Sequence, residues 1–222
     1  STGSEPWSIL PKGDATEGDD HIVRFDQPPT GEPMAMGGGD DWTAQWVPTG
    51  IIYHSYMAGP HEPRSSIFFF SDVSKGGALA DASLGGRMGF WRYGNQDPVH
   101  PEGFQIDFYG AALARLDLEH QEDLNSCDYV FGLPFTYGNE VWQVKFGYSH
   151  LSSHLGDEFA IRHPGALGNR INYSRDSAVL GGSYYPVPAW RVYGEVGLAA
   201  RRDGHAGPFT SQFGTEWSPP GP

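Results

Sequence analysis

The chain has 222 residues, with 14 lysines and arginines against 27 aspartates and glutamates, so its formal net charge is −13. Such an acidic chain is a poor candidate for binding the phosphate backbone of nucleic acids, which normally requires a basic surface. Aromatic residues make up 14% of the sequence and exclude a fully disordered chain, and the single cysteine, Cys127, excludes an internal disulfide.

Residues 1–48 have a composition of their own. They include nine acidic residues but only two basic ones, Lys12 and Arg24, and they contain the run Gly37-Gly38-Gly39. Because this composition offers little apolar surface to bury, we expect an extended, weakly ordered arm. The predicted domain organisation is therefore an acidic arm, residues 1–48, followed by a β-domain, residues 49–222.

From residue 50 onward, apolar and polar side chains alternate with a period of two, which is typical of β-strands. In residues 103–118, for example, Phe104 and Phe108 share one face while Gln105 and Asp107 share the other. The pattern predicts nine strands, at residues 50–57, 64–72, 84–93, 103–118, 126–137, 140–152, 169–185, 189–201 and 208–217. Since helical spacing is nowhere sustained, the expected fold class is all-β.

The length of the strands and the difference between their faces indicate the kind of sheet. Strands of soluble sheets usually have about 5–6 residues, whereas a strand that crosses a bilayer needs roughly 9–11. Most of the predicted strands are of the longer kind, with one apolar face and one face that carries charges of both signs. This arrangement predicts an antiparallel up-and-down transmembrane β-barrel in a bacterial outer membrane. The alternative is a soluble ligand-binding barrel, which would place the apolar face inside.

The connections between the strands are of two kinds. Gly138-Asn139 and Pro186-Val187-Pro188 indicate short turns, whereas residues 153–168 form a long loop. In outer-membrane barrels the long loops face outward, so we expect this loop at the outer surface. Nine strands is an odd number for a bacterial barrel, and the proline-rich end of the chain cannot continue a central strand. We therefore expect a part of a larger, even-numbered barrel, or one miscounted strand.

The charged residues of the polar face are balanced in sign. They are Asp107, Arg115, Asp117, Asp128, Lys145, Arg191, Glu195 and Arg201. A ring of one sign would indicate an ion-selective pore, whereas balanced signs predict ion pairs that fill a small or plugged barrel.

The predicted strand 140–152 carries two candidate catalytic residues. His150 and Ser152 share the parity of Phe146, so they fall on the apolar face near the predicted outer end. Residues two apart on a strand have Cα atoms roughly 6.5–6.8 Å apart and side chains on the same side. The imidazole can therefore serve as a general base for the serine hydroxyl. Asn169, at the start of the next predicted strand, is a candidate for orienting the imidazole.

The stretches His150-Leu151-Ser152 and Asn169-Arg170 resemble outer-membrane phospholipase A and, more loosely, lipid A deacylases. Both families carry a His-x-Ser pair on the outside of a barrel. The resemblance implies hydrolysis of lipid acyl esters at the outer leaflet, with His150 as base, Ser152 as nucleophile and Asn169 as the orienting residue. The phospholipase follows its serine with Asn-Gly, which helps form the oxyanion hole. This chain has Ser153-His154 there, so His154 or the Gly156 amide would have to supply the donors.

Over most of its length the chain is similar to an uncharacterised family of planctomycete-type outer-membrane proteins, domain of unknown function 1207. The segments that carry this similarity are Trp46-Val47-Pro48 and residues 148–159, 170–175 and 190–195. The resemblance implies an outer-membrane location and fold, but no activity.

The long loop also contains an acidic pair, Asp157-Glu158, which is a candidate Ca²⁺ site because acidic loops supply oxygen ligands. A solvated pair is the alternative. We expect membrane lipids as partners and no nucleic acid, and a homodimer is a further hypothesis. The function predicted from the sequence is thus lipid acyl-ester hydrolysis, and the alternative is a structural or narrow-channel barrel without enzymatic activity.

Overall fold

The structure, a computed structural model, describes residues 41–72, 77–168, 171, 173–204 and 206–218. Nine strands and two short helices lie in these residues. They are β1 (Thr43–Trp46), β2 (Ser66–Asp72), β3 (Gly77–Gly94), β4 (Gly103–Asp117), β5 (Asp123–Gly138), β6 (Trp142–Leu155), α1 (Asp157–Arg162), α2 (Pro164–Gly168), β7 (Tyr173–Val187), β8 (Trp190–Asp203) and β9 (Phe209–Trp217). The predicted all-β fold class is confirmed. Among the described residues, no helix is long and apolar enough to cross a membrane.

All nine strands form one antiparallel sheet. From β3 to β9 each strand pairs with the next one along the chain, which confirms the up-and-down order. β1 and β2 pair with opposite ends of the same strand, β1 with residues 91–94 of β3 and β2 with residues 77–83. Within the described ranges no ladder joins β9 to β1 or β2, so the barrel-like sheet is not closed.

Eight of the predicted strands correspond to strands of the structure, but the prediction of a strand at residues 50–57 was wrong. Those residues form no ladder. Ile52, Tyr53 and Tyr56 are apolar or aromatic because they are buried inside the sheet, and not because they alternate between two faces. The ninth strand of the structure is β1, which lies in the last part of the region that we assigned to the acidic arm.

The two faces of the sheet have the orientation expected for the apolar-outside arrangement. Phe104, Phe131 and Val192 are 36%, 40% and 47% exposed. Polar residues of the opposite parity, among them Gln105 and Asp107, are fully buried. The apolar face therefore looks outward and the charged face looks into the interior, which rules out a soluble barrel with an apolar inside.

The charged inward face forms ion pairs, as the balanced signs predicted. Arg87 Nη2 lies 2.5 Å from Asp107 Oδ2, and Lys145 Nζ lies 2.5 Å from Glu195 Oε2. Arg191 Nη1 lies 3.0 Å from Glu216 Oε2. Because these six charges are paired, the interior accommodates them without the large cost of an isolated buried ion.

Residues 49–64, which we call the inner segment, run through the interior of the sheet. At the start of the segment, Arg92 Nη2 donates to the carbonyl oxygens of Thr49 and Gly50 at 3.1 and 3.0 Å. Further along, Arg191 donates to the carbonyl oxygens of His54 and Ser55 at 2.8 and 3.0 Å. The chain itself therefore occupies part of the lumen, as in the plugged barrel that the balanced charges favoured.

Two tyrosines of the inner segment anchor it to the opposite wall. Lys145 Nζ lies 4.8 Å from the ring centre of Tyr53 and 4.6 Å from that of Tyr56, within the range of cation–π attraction. Burial, and then the nearby Glu195 carboxylate, raise the pKa of Tyr56. The phenol therefore stays protonated and donates to Glu195 Oε2 at 3.0 Å.

The two ends of the sheet differ in their connections. At one end, residues 139–141 and 188–189 form short turns, and the Asn139 side chain accepts the backbone N–H groups of Val141 and Trp142. The other end carries residues 156–168, where α1 and α2 interrupt the predicted loop. His150 and Ser152 lie toward this second end, as expected from the sequence.

Candidate functional site

His150 lies on the outward face of β6, between its neighbours on β5 and β7. The register places it opposite Phe131 on one side and Asp176 on the other. Its Nδ1 lies 2.7 Å from Asp176 Oδ1, and its ring stacks on Phe131 with the ring centres 4.9 Å apart. The side chains of His150 and Asp176 are 22% and 24% exposed, so the pair is largely shielded but still accessible from outside.

Tyr148 lies two residues before His150, on the same face of β6, and bonds to the same aspartate. Its hydroxyl donates to the same oxygen, Asp176 Oδ1, at 2.5 Å. Tyr148, His150 and Asp176, which we call the outer cluster, thus form one hydrogen-bonded group on the apolar face. A carboxylate on such a face is costly unless it is hydrogen-bonded, and these two partners meet that requirement.

Ser152 lies two residues after His150 on the same side of β6, opposite Tyr129 and Ser174. Within the described residues the imidazole bonds to Asp176 and makes no hydrogen bond to Ser152. Because Nδ1 is occupied by Asp176, Nε2 is the nitrogen that can accept the serine proton. Catalytic hydrogen bonds of free enzymes are often long and tighten only when substrate binds.

The structure offers a further candidate for the orienting residue. Asn169 lies outside the described residues, and β7 begins at Tyr173 and not at residue 169. Tyr173 lines the interior cavity, and other odd-numbered residues of β7 such as Arg175 face inward. The contact expected of an orienting residue is made by Asp176.

The two oxyanion donors suggested from the sequence have different outcomes. The Gly156 amide donates to the carbonyl oxygen of Asn125 at 3.0 Å, so that N–H is already used and this suggestion was wrong. His154 is exposed, has the same parity as Ser152 and lies edge-on to Tyr129, with ring centres 5.5 Å apart. His154 therefore stays a candidate donor.

The predicted calcium ligands lie in the first turn of α1. Asp157 and Glu158 are both exposed. Among the described residues, no group of three or more histidine, cysteine, aspartate or glutamate side chains is arranged to hold a metal ion. A calcium ion at this pair would therefore need further oxygen ligands from the backbone or from water.

Asp176 is the residue of the outer cluster that the sequence reasoning missed. A signal was available, because Asp176 shares the even parity of Leu180 and Tyr184, which are outward and apolar or aromatic. A charged residue on an otherwise apolar face needs a partner on the neighbouring strand. The partner became identifiable only when the register set His150 opposite Asp176.

Comparison with known proteins gives a family but no activity. No curated protein and no solved structure matched the chain. One family model matched residues 32–221, and its description is "Protein of unknown function (DUF1207)". The match covers most of the sequence and includes all nine strands and the outer cluster. The similarity to outer-membrane phospholipase A stays a prediction. The chain therefore belongs to the DUF1207 family of proteins of unknown function.

Proposed function

We propose that this chain spans a bacterial outer membrane as a β-barrel whose lumen is filled by the inner segment. Large apolar side chains face outward along the strands, while the charged residues are paired inside. Aromatic pairs cluster at the end with short turns, Tyr137 with Trp142 and Trp190 with Trp217. Aromatic girdles of this kind mark the interface of outer-membrane barrels.

A charge placed on the middle of the outward face tests this orientation. Leu180 is 56% exposed at the centre of β7. In a bilayer, Leu180→Arg is expected to lower the free energy of unfolding by about 2–4 kcal/mol, because arginine at the midplane is costly. The measurement is urea-dependent folding into lipid vesicles. Val141→Arg is the control, because Val141 is also exposed but lies in a short turn, where the expected cost is about 0–1 kcal/mol. Equal, small effects of both substitutions would contradict the membrane assignment.

The finer proposal is that the protein hydrolyses lipid acyl esters at the outer leaflet. The observation that carries it is the 2.7 Å contact between His150 Nδ1 and Asp176 Oδ1 on the lipid-facing side, two residues from Ser152. A carboxylate at Nδ1 holds the tautomer that leaves Nε2 free to accept a proton, and it stabilises the imidazolium that then forms. The location gives the pair direct access to the acyl esters of lipids.

In the proposed reaction, His150 Nε2 accepts the Ser152 proton as the serine oxygen bonds to the ester carbonyl carbon. The tetrahedral intermediate collapses when the alcohol leaves, taking the proton from the imidazolium, and an acyl-serine remains. Water then attacks this ester in the same way and releases the fatty acid. His154 is the side chain placed to donate to the oxyanion, while Asp176 orients the imidazole throughout.

Covalent labelling tests whether Ser152 is an activated nucleophile. A long-chain alkyl sulfonyl fluoride applied to the protein in detergent micelles is expected to modify Ser152, because serines activated by a base react with such electrophiles. Peptide mass spectrometry would locate the adduct. His150→Gln is expected to prevent labelling while the protein still folds. Labelling spread over several exposed serines, or unaffected by His150→Gln, would count against catalysis.

The second candidate function is a barrel without enzymatic activity. The favouring observation is the inner segment, which obstructs the lumen through hydrogen bonds from Arg92 and Arg191. A filled lumen disfavours a wide channel and is compatible with a structural role. Intact folding together with no labelling of Ser152 and no fatty-acid release would favour this candidate.

A further inference from the structure

A second feature lies inside the sheet, away from the outer cluster. A cavity of about 380 Å³ is bounded by inward-facing side chains of the strands and by residues 59–63 of the inner segment. This volume lies in the range of small-molecule sites. Hydroxyl and amide groups from Ser149, Thr210 and Gln212 line it beside charged residues, so a ligand there would be polar.

One wall of the cavity offers a hydrogen-bond donor that has no acceptor. Arg87 lines the cavity, and its side chain is only 8% exposed. Nη2 of its guanidinium pairs with Asp107, and neither Nε nor Nη1 makes a hydrogen bond in the described part of the chain. Because Nε has no accessible surface, Nη1 is the donor left for an acceptor oxygen of a ligand.

The inner segment supplies a negative charge to the cavity, opposite in sign to that of Arg87. Glu62 lines the same cavity, and in the described ranges its carboxylate makes no hydrogen bond and no ion pair. The other carboxylate of the lining, Glu195, is already paired with Lys145 and accepts from Tyr56. Glu62 is therefore a carboxylate available to a cationic group.

The remaining charges of the cavity do not favour one sign. Lys145 is matched by Glu195, and Arg87 by Asp107. Arg175 is held by neutral acceptors, namely Ser177 Oγ and the carbonyl oxygens of Gly197 and Gly207. Three bases thus face three acids once Glu62 and Asp107, the partner of Arg87 outside the lining, are included. A simple anion or a simple cation would unbalance the cavity, whereas a ligand that carries both charges would not.

We propose that this cavity binds a small zwitterion with a carboxylate and an ammonium group, of the size of an amino acid or a dipeptide. The carboxylate accepts from Arg87 Nη1, and the ammonium donates to Glu62. The surrounding hydroxyl and amide groups bind the peptide unit. The proposal rests on the cavity alone and is independent of lipid hydrolysis.

A matched set of dipeptides tests it. Glycylglycine carries both charges, N-acetylglycylglycine only the carboxylate, and glycylglycinamide only the ammonium. With the full chain in detergent, calorimetric titration is expected to show saturable binding of glycylglycine and at least about tenfold weaker binding of the other two, since each lacks one charge-assisted hydrogen bond. No saturable binding of glycylglycine, or equal binding of all three, overturns the proposal.

A variant of the inner segment identifies the cavity as the site. Glu62→Gln removes the charge without removing any contact made in the described residues. It is expected to weaken glycylglycine binding about tenfold or more and to leave binding of N-acetylglycylglycine unchanged. The control is Glu140→Gln, because Glu140 is exposed in a turn at the other end of the sheet and pairs with His100. An equal loss in both variants, or no loss in Glu62→Gln, overturns the assignment.

Discussion

Ser152→Ala is expected to reduce fatty-acid release from phospholipid micelles by at least about a thousandfold, because loss of the nucleophile removes the acyl-enzyme route. The alanine keeps the strand geometry, so folding and migration in detergent should be unchanged. Release is measured by titrating free fatty acid. The matched control is Ser153→Ala, because Ser153 is the next residue on β6 and has the inward parity of Ser149. Equal activities of the parent protein and Ser152→Ala would refute the hydrolase proposal.

Asp176→Asn separates an orienting role from a merely structural one. The amide oxygen can still accept from His150 Nδ1, so the 2.7 Å contact can persist. The negative charge that stabilises the imidazolium is lost, and a fall in rate of about 10²–10⁴-fold is expected. The loss should appear in kcat more than in KM, because the charge acts on the imidazolium that forms during the reaction and not on the bound lipid. A fall in activity that is matched by a loss of folded protein would indicate that Asp176 acts only through folding.

Arg191→Met is expected to lower the free energy of unfolding by about 3–5 kcal/mol, the typical cost of removing one partner of a buried ion pair. The Arg191 side chain is 4% exposed and bonds to Glu216, Ser183 and the backbone of the inner segment. Methionine fills a similar volume but leaves the Glu216 carboxylate without this ion-pair partner. Urea-dependent unfolding monitored by tryptophan fluorescence measures the change.

Release of the inner segment is a second readout of the same variant. If Arg191 holds residues 49–64 in the lumen, the variant should become sensitive to limited proteolysis there before the sheet unfolds. Arg115→Met is the control, because the Arg115–Asp81 pair is nearly half exposed on both sides and such pairs contribute about 0–1 kcal/mol. An effect of Arg191→Met no larger than that of Arg115→Met would show that the guanidinium does not hold the segment.

The sequence predicted the structure correctly where the alternation of side chains comes from a β-strand. The alternation in 103–118 located β4, and the parity of His150 and Ser152 put them on the outward face. The same reasoning wrongly predicted a strand at residues 50–57. A buried stretch with aromatic residues gives a similar sequence pattern whether it forms a membrane-spanning strand or lies inside a lumen. The start of β7 at Tyr173 was not predicted, because alternation shows which residues share a face but not where a strand begins.

By itself, the amino-acid sequence determined the fold class, the up-and-down order of the long strands, the family and the apolar stripe that carries His150. These properties follow from a period of two along the backbone, which is local. Only the tertiary structure decided which partners meet. His150 and Asp176 lie 26 residues apart, and Arg191 and Ser55 lie 136 apart. Such contacts depend on the register between strands and on what occupies the lumen. The alternation of side chains along a single strand determines neither of these.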